Sequence, residues 1–131
     1  MSRRDYKKSK RGSAPFVQLR HGLLNTEAWR SLSTGARALY IELRKQYRGH
    51  NNGNLFLSHR DAAEALGTHR NTVGKWFKEL RDRGFIALTK GHHLGPSGCG
   101  VADRYRLTDE ATPDGRGGTH DFRKWKTPAQ N

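Results

Sequence analysis

The sequence predicts an α+β fold of about four helices with a small antiparallel sheet and one β-hairpin, and three observations carry that prediction. The first is the run from Ser58 to Gly84, SHRDAAEALGTHRNTVGKWFKELRDRG, in which two amphipathic stretches flank a short break bearing Gly67. The second follows at once. An apolar strand, FIALTK, leads through a glycine-rich loop, GHHLGPSGCG, into VADRYRLT, where Val101, Tyr105 and Leu107 alternate with Ala102, Arg104 and Arg106. Alternation with period two is the mark of a half-buried strand, and two strands about such a loop form a hairpin. The third lies upstream: Ala36, Leu39, Tyr40, Leu43 and Tyr47 fall at i, i+3, i+4, i+7 and i+11, one stripe of an amphipathic helix.

In chain order, residues 1–13 carry Arg3, Arg4, Lys7, Lys8, Lys10 and Arg11 against Asp5 alone. No apolar period runs through them, so there is no face to bury, and a disordered basic arm is expected. The folded domain is expected over 14–108. Leu23, Leu24, Trp29 and Leu32 suggest a short helix, roughly 26–31, capped by Asn25 and preceded by extended chain. Ser33 is placed to cap a longer helix that ends near Gly49. Asn52-Gly53 signals a turn, and Leu55-Phe56-Leu57 a brief first strand. Ser58 opens a helix over roughly 59–66, and a second runs over roughly 70–83, ended by Gly84 in the position just past the helix. Residues 109–131 are polar and broken by Gly and Pro, so a flexible basic tail is expected. Its FRKWK patch, Phe122 to Lys126, fits a phosphate contact, a stacking segment or a partner-docking peptide.

The two helices from Ser58 have the spacing of a helix-turn-helix. With His59 as the first position, small Ala63 is fifth and Gly67 ninth, while apolar Val73 and Trp76 are fifteenth and eighteenth. A small residue allows close helix packing, the glycine turns the chain, and the apolar pair faces inward. Val73, Trp76, Phe77 and Leu80 complete that inward stripe. A strand, two helices and a β-hairpin in this order make the whole a winged helix-turn-helix, with the wing over roughly 91–100.

Charge points to the partner. Lys and Arg outnumber Asp and Glu by 25 to 12, for a formal net charge of +13, and the pI is near 10.6. Such a balance suits a polyanion whose counterions are released on binding. No apolar run approaches the roughly 20 residues of a membrane span. The N-terminus lacks the apolar core of a signal peptide. Cys99 is the single cysteine, which fits a reducing cytoplasm, and a nucleoid-associated protein is expected.

From Phe16 to Thr108 the chain resembles the small winged-helix proteins of bacterial prophages, plasmids and chromosomes, many described only as helix-turn-helix proteins. The resembling pieces are Ala28-Trp29-Arg30-Ser31-Leu32-Ser33, the Asn51-Asn52-Gly53 turn, Ser58 to Leu66, Thr72-Val73, Leu80 to Ile86, and Tyr105-Arg106-Leu107-Thr108. The resemblance implies sequence-specific binding of double-stranded DNA. Transcriptional regulation is the leading role. Replication initiation or maintenance of a plasmid or phage, by binding origin repeats, is the alternative, since plasmid initiators carry similar winged helices. An RNA-binding or nucleoid-type basic protein is a third reading, disfavoured because A-form RNA hides its major groove from a helix.

The residues assigned to DNA follow from the motif. Arg matches the paired acceptors of guanine and Asn the donor–acceptor pair of adenine. Arg70 and Asn71, in the first turn of the second helix, are therefore expected on base edges, with Lys75 one turn on. Phosphate contacts are expected from Arg60, His69, Thr72 and Lys78, from His92 and His93 in the wing, from Arg104 and Arg106 on the last strand, and from the arm's Arg3, Arg4, Lys7, Lys8, Lys10 and Arg11. Gly74 costs a mid-helix position roughly 1 kcal/mol against alanine, which suggests close approach to bases or to another helix. One reading helix covers few base pairs, so a homodimer or tandem binding is expected. No enzyme is expected: there is no P-loop pattern or nucleophile–base arrangement, and Asp61 and Glu64 have basic neighbours. His92, His93 and Cys99 share one loop without a fourth ligand, so neither metal nor cofactor is expected.

Overall fold

The structure is a computed structural model that describes residues 14–90, 93–94, 100–101 and 103–128. The basic arm, His92 and Cys99 lie outside the described residues. Among the described residues five helices come first: α1 (His21–Leu24), α2 (Glu27–Arg30), α3 (Thr34–Arg44), α4 (His59–Leu66) and α5 (Arg70–Asp82). Strand β1 (Ile86–Lys90) pairs antiparallel with β4 (Arg104–Leu107), and their hairpin continues as β2 (His93–Leu94) against β3 (Gly100–Val101). Leu55 adds one antiparallel bridge to Tyr105 on the free side of β4. A 3₁₀ turn, Asp121–Arg123, ends the sequence of elements. This is a winged helix-turn-helix, with its helices on one face of the sheet. No helix among the described residues is long and apolar enough to cross a membrane.

The core forms where the helical stripes meet the sheet's inner face. Leu39, Tyr40 and Leu43 of α3, Ala62 and Ala63 of α4, Val73, Phe77 and Leu80 of α5, and Ile86, Tyr105 and Leu107 of the sheet are all buried. Trp29, Tyr40 and Phe85 meet edge to face, with centroids 5.6 to 5.8 Å apart, the geometry that ring quadrupoles favour. Ser33 does cap α3, its Oγ accepting from the Ala36 amide at 3.2 Å.

Four local expectations need correction. The chain before α2 is not extended: His21–Leu24 forms a helical turn, so Asn25 closes that turn and Thr26 caps α2. Thr26 holds the extended backbone a cap requires, and its Oγ1 accepts from the Trp29 amide at 3.2 Å. α3 ends at Arg44, well before Gly49, because loop side chains compete for its next backbone groups. Asn51 donates to the Gln46 carbonyl at 2.7 Å and accepts from the Arg48 amide at 2.8 Å. The stretch Leu55-Phe56-Leu57 makes a single bridge at Leu55 and no longer strand.

The fourth concerns residues 109–128, which pack onto the domain as a strap. Phe122 is 1% exposed and stacks on Phe85, centroids 5.2 Å apart and rings 6° from parallel. The strap passes so close to Gly84 (φ +82°) that a β-carbon there would lie 2.7 Å from the Asp121 carbonyl carbon. Trp125 lies under the Arg83 guanidinium at 4.9 Å, and Thr127 donates to Glu27 at 2.8 Å. Apolar burial outweighed a polar composition, because two aromatics within four residues supply what the flanking sequence lacks.

At the strap's start sits a buried ionic cluster. Arg44 donates to Asp109 at 2.9 Å and to Glu110 at 2.5 Å; Arg20 reaches the same pair at 3.2 and 2.8 Å. Tyr40 and Tyr47 donate to Asp109 and Glu110 at 3.3 and 3.2 Å. Burial, then the Asp109 charge, pushes the Tyr40 phenol far above its usual range. Buried Asn52 finishes the joint, accepting from the Leu107 amide at 2.7 Å and donating to the Leu107 carbonyl at 3.0 Å.

Candidate nucleic-acid interface

The motif is built by local rules. Ser58 Oγ accepts from the Asp61 amide at 3.0 Å and opens α4. Gly67 closes it at φ +64°, ψ +40°, with the Thr68 amide reaching back to the Ala63 carbonyl at 3.0 Å. A left-handed residue here admits glycine without steric cost. α5 then opens on His69, whose Nδ1 accepts from the Asn71 amide at 3.1 Å. That ring nitrogen must carry a lone pair, so the imidazole has a capping role besides any reach to phosphate.

Burial sorts the faces of α5. Val73, Phe77 and Leu80 turn inward and are buried. Trp76 is only half-buried and packs against α3 at Gly35, where a β-carbon would meet the indole at 2.0 Å. Glu79 reaches across to α3 as well, accepting from the Ser33 amide and hydroxyl at 2.9 and 2.7 Å. Opposite these lie Asn71, Lys75 and Lys78, exposed at i, i+4 and i+7 in one stripe. Arg70 is exposed beside them, at the first helical position. Thr72 is half-buried on the α3 side, and Lys78 is paired with Asp82 at 2.6 Å. Arg60 is exposed in the first turn of α4.

Between α5 and the base of the wing runs a groove of about 290 Å³, lined by His59, Gly74, Phe77, Lys78, Arg81 and Tyr105, with Asp82 and Asp103. His59 stacks on Phe77 and Phe77 on Tyr105, centroids 4.9 and 5.4 Å apart. Tyr105 donates to Asp103 at 3.3 Å, and burial, then the Asp103 charge, pushes its phenol up to about 12. A β-carbon at Gly74 would meet His59 at 3.5 Å, ordinary van der Waals contact. Packing between helices therefore does not require glycine there.

The last strand divides differently. Tyr105 and Leu107 face the helices, so Arg104 and Arg106 lie on the outer face of the sheet. Arg104 sits over the Phe56 ring at 4.9 Å. Arg106 donates to Thr119 at 3.0 Å, in a cleft of about 530 Å³ between the sheet and the loop 112–119. Neither is gathered with the α5 stripe. The backbone of His93 lies in β2. His59 and Arg81 border the groove, and the helix-turn-helix spacing alone assigns neither of them to a base or a phosphate. The row Arg70, Gly74, Phe77, Arg81, at i, i+4, i+7 and i+11, places Arg81 on the same side of α5 as Arg70, along the groove.

Residues 36–95, from α3 into the wing, match the Crp-like helix-turn-helix domain family. No curated protein and no solved structure matches the chain. The central part of this chain is thus a helix-turn-helix DNA-binding module.

Proposed function

We propose that this chain is a sequence-specific double-stranded DNA-binding protein, a transcriptional regulator that reads the major groove with α5. The observation that carries the reading is the exposed set Arg70, Asn71 and Lys75 at the N-terminal end of α5. Arg and Asn there have the donor and acceptor geometry that separates guanine and adenine from the other bases. Arg60, and Lys78 further along the stripe, supply phosphate contacts; the Asp82 carboxylate that holds Lys78 is itself exposed and yields to a phosphate. The basic arm adds charge along the backbone. The module acts in the cytoplasm, on the nucleoid, as a dimer or in tandem on repeated half-sites, and it needs no cofactor.

Selection of bound sequences from a randomised duplex pool tests this directly. A defined site should emerge, and Arg70→Ala or Asn71→Ala should each weaken it by about 1–3 kcal/mol and relax preference at one base position. Equal loss on selected and scrambled duplexes would move that residue to the phosphate class. A pool that yields no enriched sequence would leave only a charge-driven binder.

A further inference from the structure

We propose that the C-terminal strap carries a second polyanion-binding surface, formed by Arg123, Lys124 and Lys126 with Arg30, which takes the phosphodiester backbone of DNA flanking the site read by α5. The inference rests on the DNA-binding reading but on different residues. In FRKWK the aromatics are spent inward, Phe122 on Phe85 and Trp125 against Arg83. Arg123, Lys124 and Lys126 are consequently held outward and exposed. Among the described residues no carboxylate lies within the 4.0 Å of an ion pair from Arg123 or Lys124; Lys126 has Glu27 at 3.8 Å.

α2, which the 3₁₀ turn packs against, brings exposed Arg30 to the same edge. Behind it, the Arg30 carbonyl accepts from Arg37 at 3.0 Å, and Arg83 is tied to Ser31 at 2.8 Å. The strap backbone that carries these cations is held by Phe122 and Trp125, so binding them to a duplex costs less backbone entropy than ordering a free tail. Arg83 caps the C-terminal end of α5, while Arg70 and Asn71 open its N-terminal end. Thirteen helical residues separate the two ends by about 20 Å. The strap edge is thus placed away from the bases, where contact with a duplex means contact with phosphate. Phosphate contacts from this edge extend the footprint and strengthen binding without altering sequence preference.

The test uses the full chain and its triple variant Arg123→Gln/Lys124→Gln/Lys126→Gln, which keeps both aromatics. Binding is measured across a salt series on two duplexes: the selected site alone, and the same site extended by one helical turn on each side. The parent should bind the extended duplex more tightly and with a steeper salt dependence. The variant should lose that gain, with its slope of log affinity on log salt reduced by up to about 0.9 per contact removed. Thermal unfolding of the two proteins should coincide. A parent indifferent to duplex length, or a variant that keeps the full gain, overturns the proposal. Equal loss on both duplexes also overturns it, by placing these cations on the read site. If no site is selected, the regulator reading fails first; the salt slope on scrambled duplexes of the two lengths then decides the strap by itself.

Discussion

Two regions of this molecule use arginine in opposite ways. At the joint of α3 and the strap, Arg44 is 4% exposed and its nitrogens are engaged by Asp109, Glu110, Tyr40 and the Gln18 carbonyl. At the opening of α5, Arg70 and Lys75 are exposed, and among the described residues neither has a carboxylate within ion-pair distance. A buried guanidinium without acceptors would cost several kcal/mol, so Arg44 is committed to the fold. A solvated one costs little and stays available to a phosphate or a guanine. The cluster pairs two arginines with two carboxylates, so it is neutral and leaves the formal net charge of +13 to the rest of the chain. Two of its twelve acidic residues are drawn into one buried cluster, and the exposed opening of α5 is left basic.

The largest expected effect comes from breaking the buried side. Arg44→Leu leaves Asp109 desolvated, with only half-exposed Arg20 as a cationic partner, and should lower the free energy of unfolding by about 3–5 kcal/mol. Urea denaturation measures this. A loss below about 1 kcal/mol, the size of an exposed pair, would show that the cluster is open to water and erase the contrast.

A smaller effect sharpens the exposed side. Gly74→Ala meets only ordinary contact with His59, so the free protein should gain up to about 1 kcal/mol of stability from helix propensity. If glycine is kept for close approach to DNA, affinity for the selected site should fall in the same variant. A protein both more stable and equally tight would take Gly74 out of the interface.

The smallest effect is acid sensitivity. Burial pushes the Glu110 carboxyl up, but hydrogen bonds from Arg20 and Arg44, and then their charges, outweigh it and hold the group below its ordinary range. A depressed carboxyl is deprotonated in the folded chain while the unfolded chain takes up its proton. Its contribution is therefore complete above the unfolded value, about 4.3, and is lost as pH falls through the lower folded value. Urea midpoints of parent and Glu110→Gln should converge as pH drops from neutral into that range. Parallel profiles would remove Glu110 as the source.

The legible parts of the site share one property: their causes are near in sequence. Ser33, Ser58 and Gly67 act within a few residues, through a hydroxyl that accepts from an amide three positions on or a backbone that must turn left-handed. The inward stripe of α5 is likewise set by period alone. His69 was the exception at close range. Its residue type suggests a phosphate contact and gives no sign of the capping bond to Asn71, because histidine is a less common cap than Ser, Thr, Asp or Asn.

The amino-acid sequence by itself determined the winged helix-turn-helix, the two motif helices to within a residue, and the basic residues that open α5. Helix periodicity, capping and turn chemistry are short-range, and they act before any tertiary contact forms. Only the tertiary structure decided where α3 stops, that Arg104 lies over Phe56 and Arg106 against Thr119, and that residues 109–128 are bound to the domain. Those outcomes depend on partners far apart in the chain: Asn52 with Leu107, Arg44 with Asp109, Phe122 with Phe85. Such pairings compete in free energy with solvated alternatives, and no local pattern records which wins.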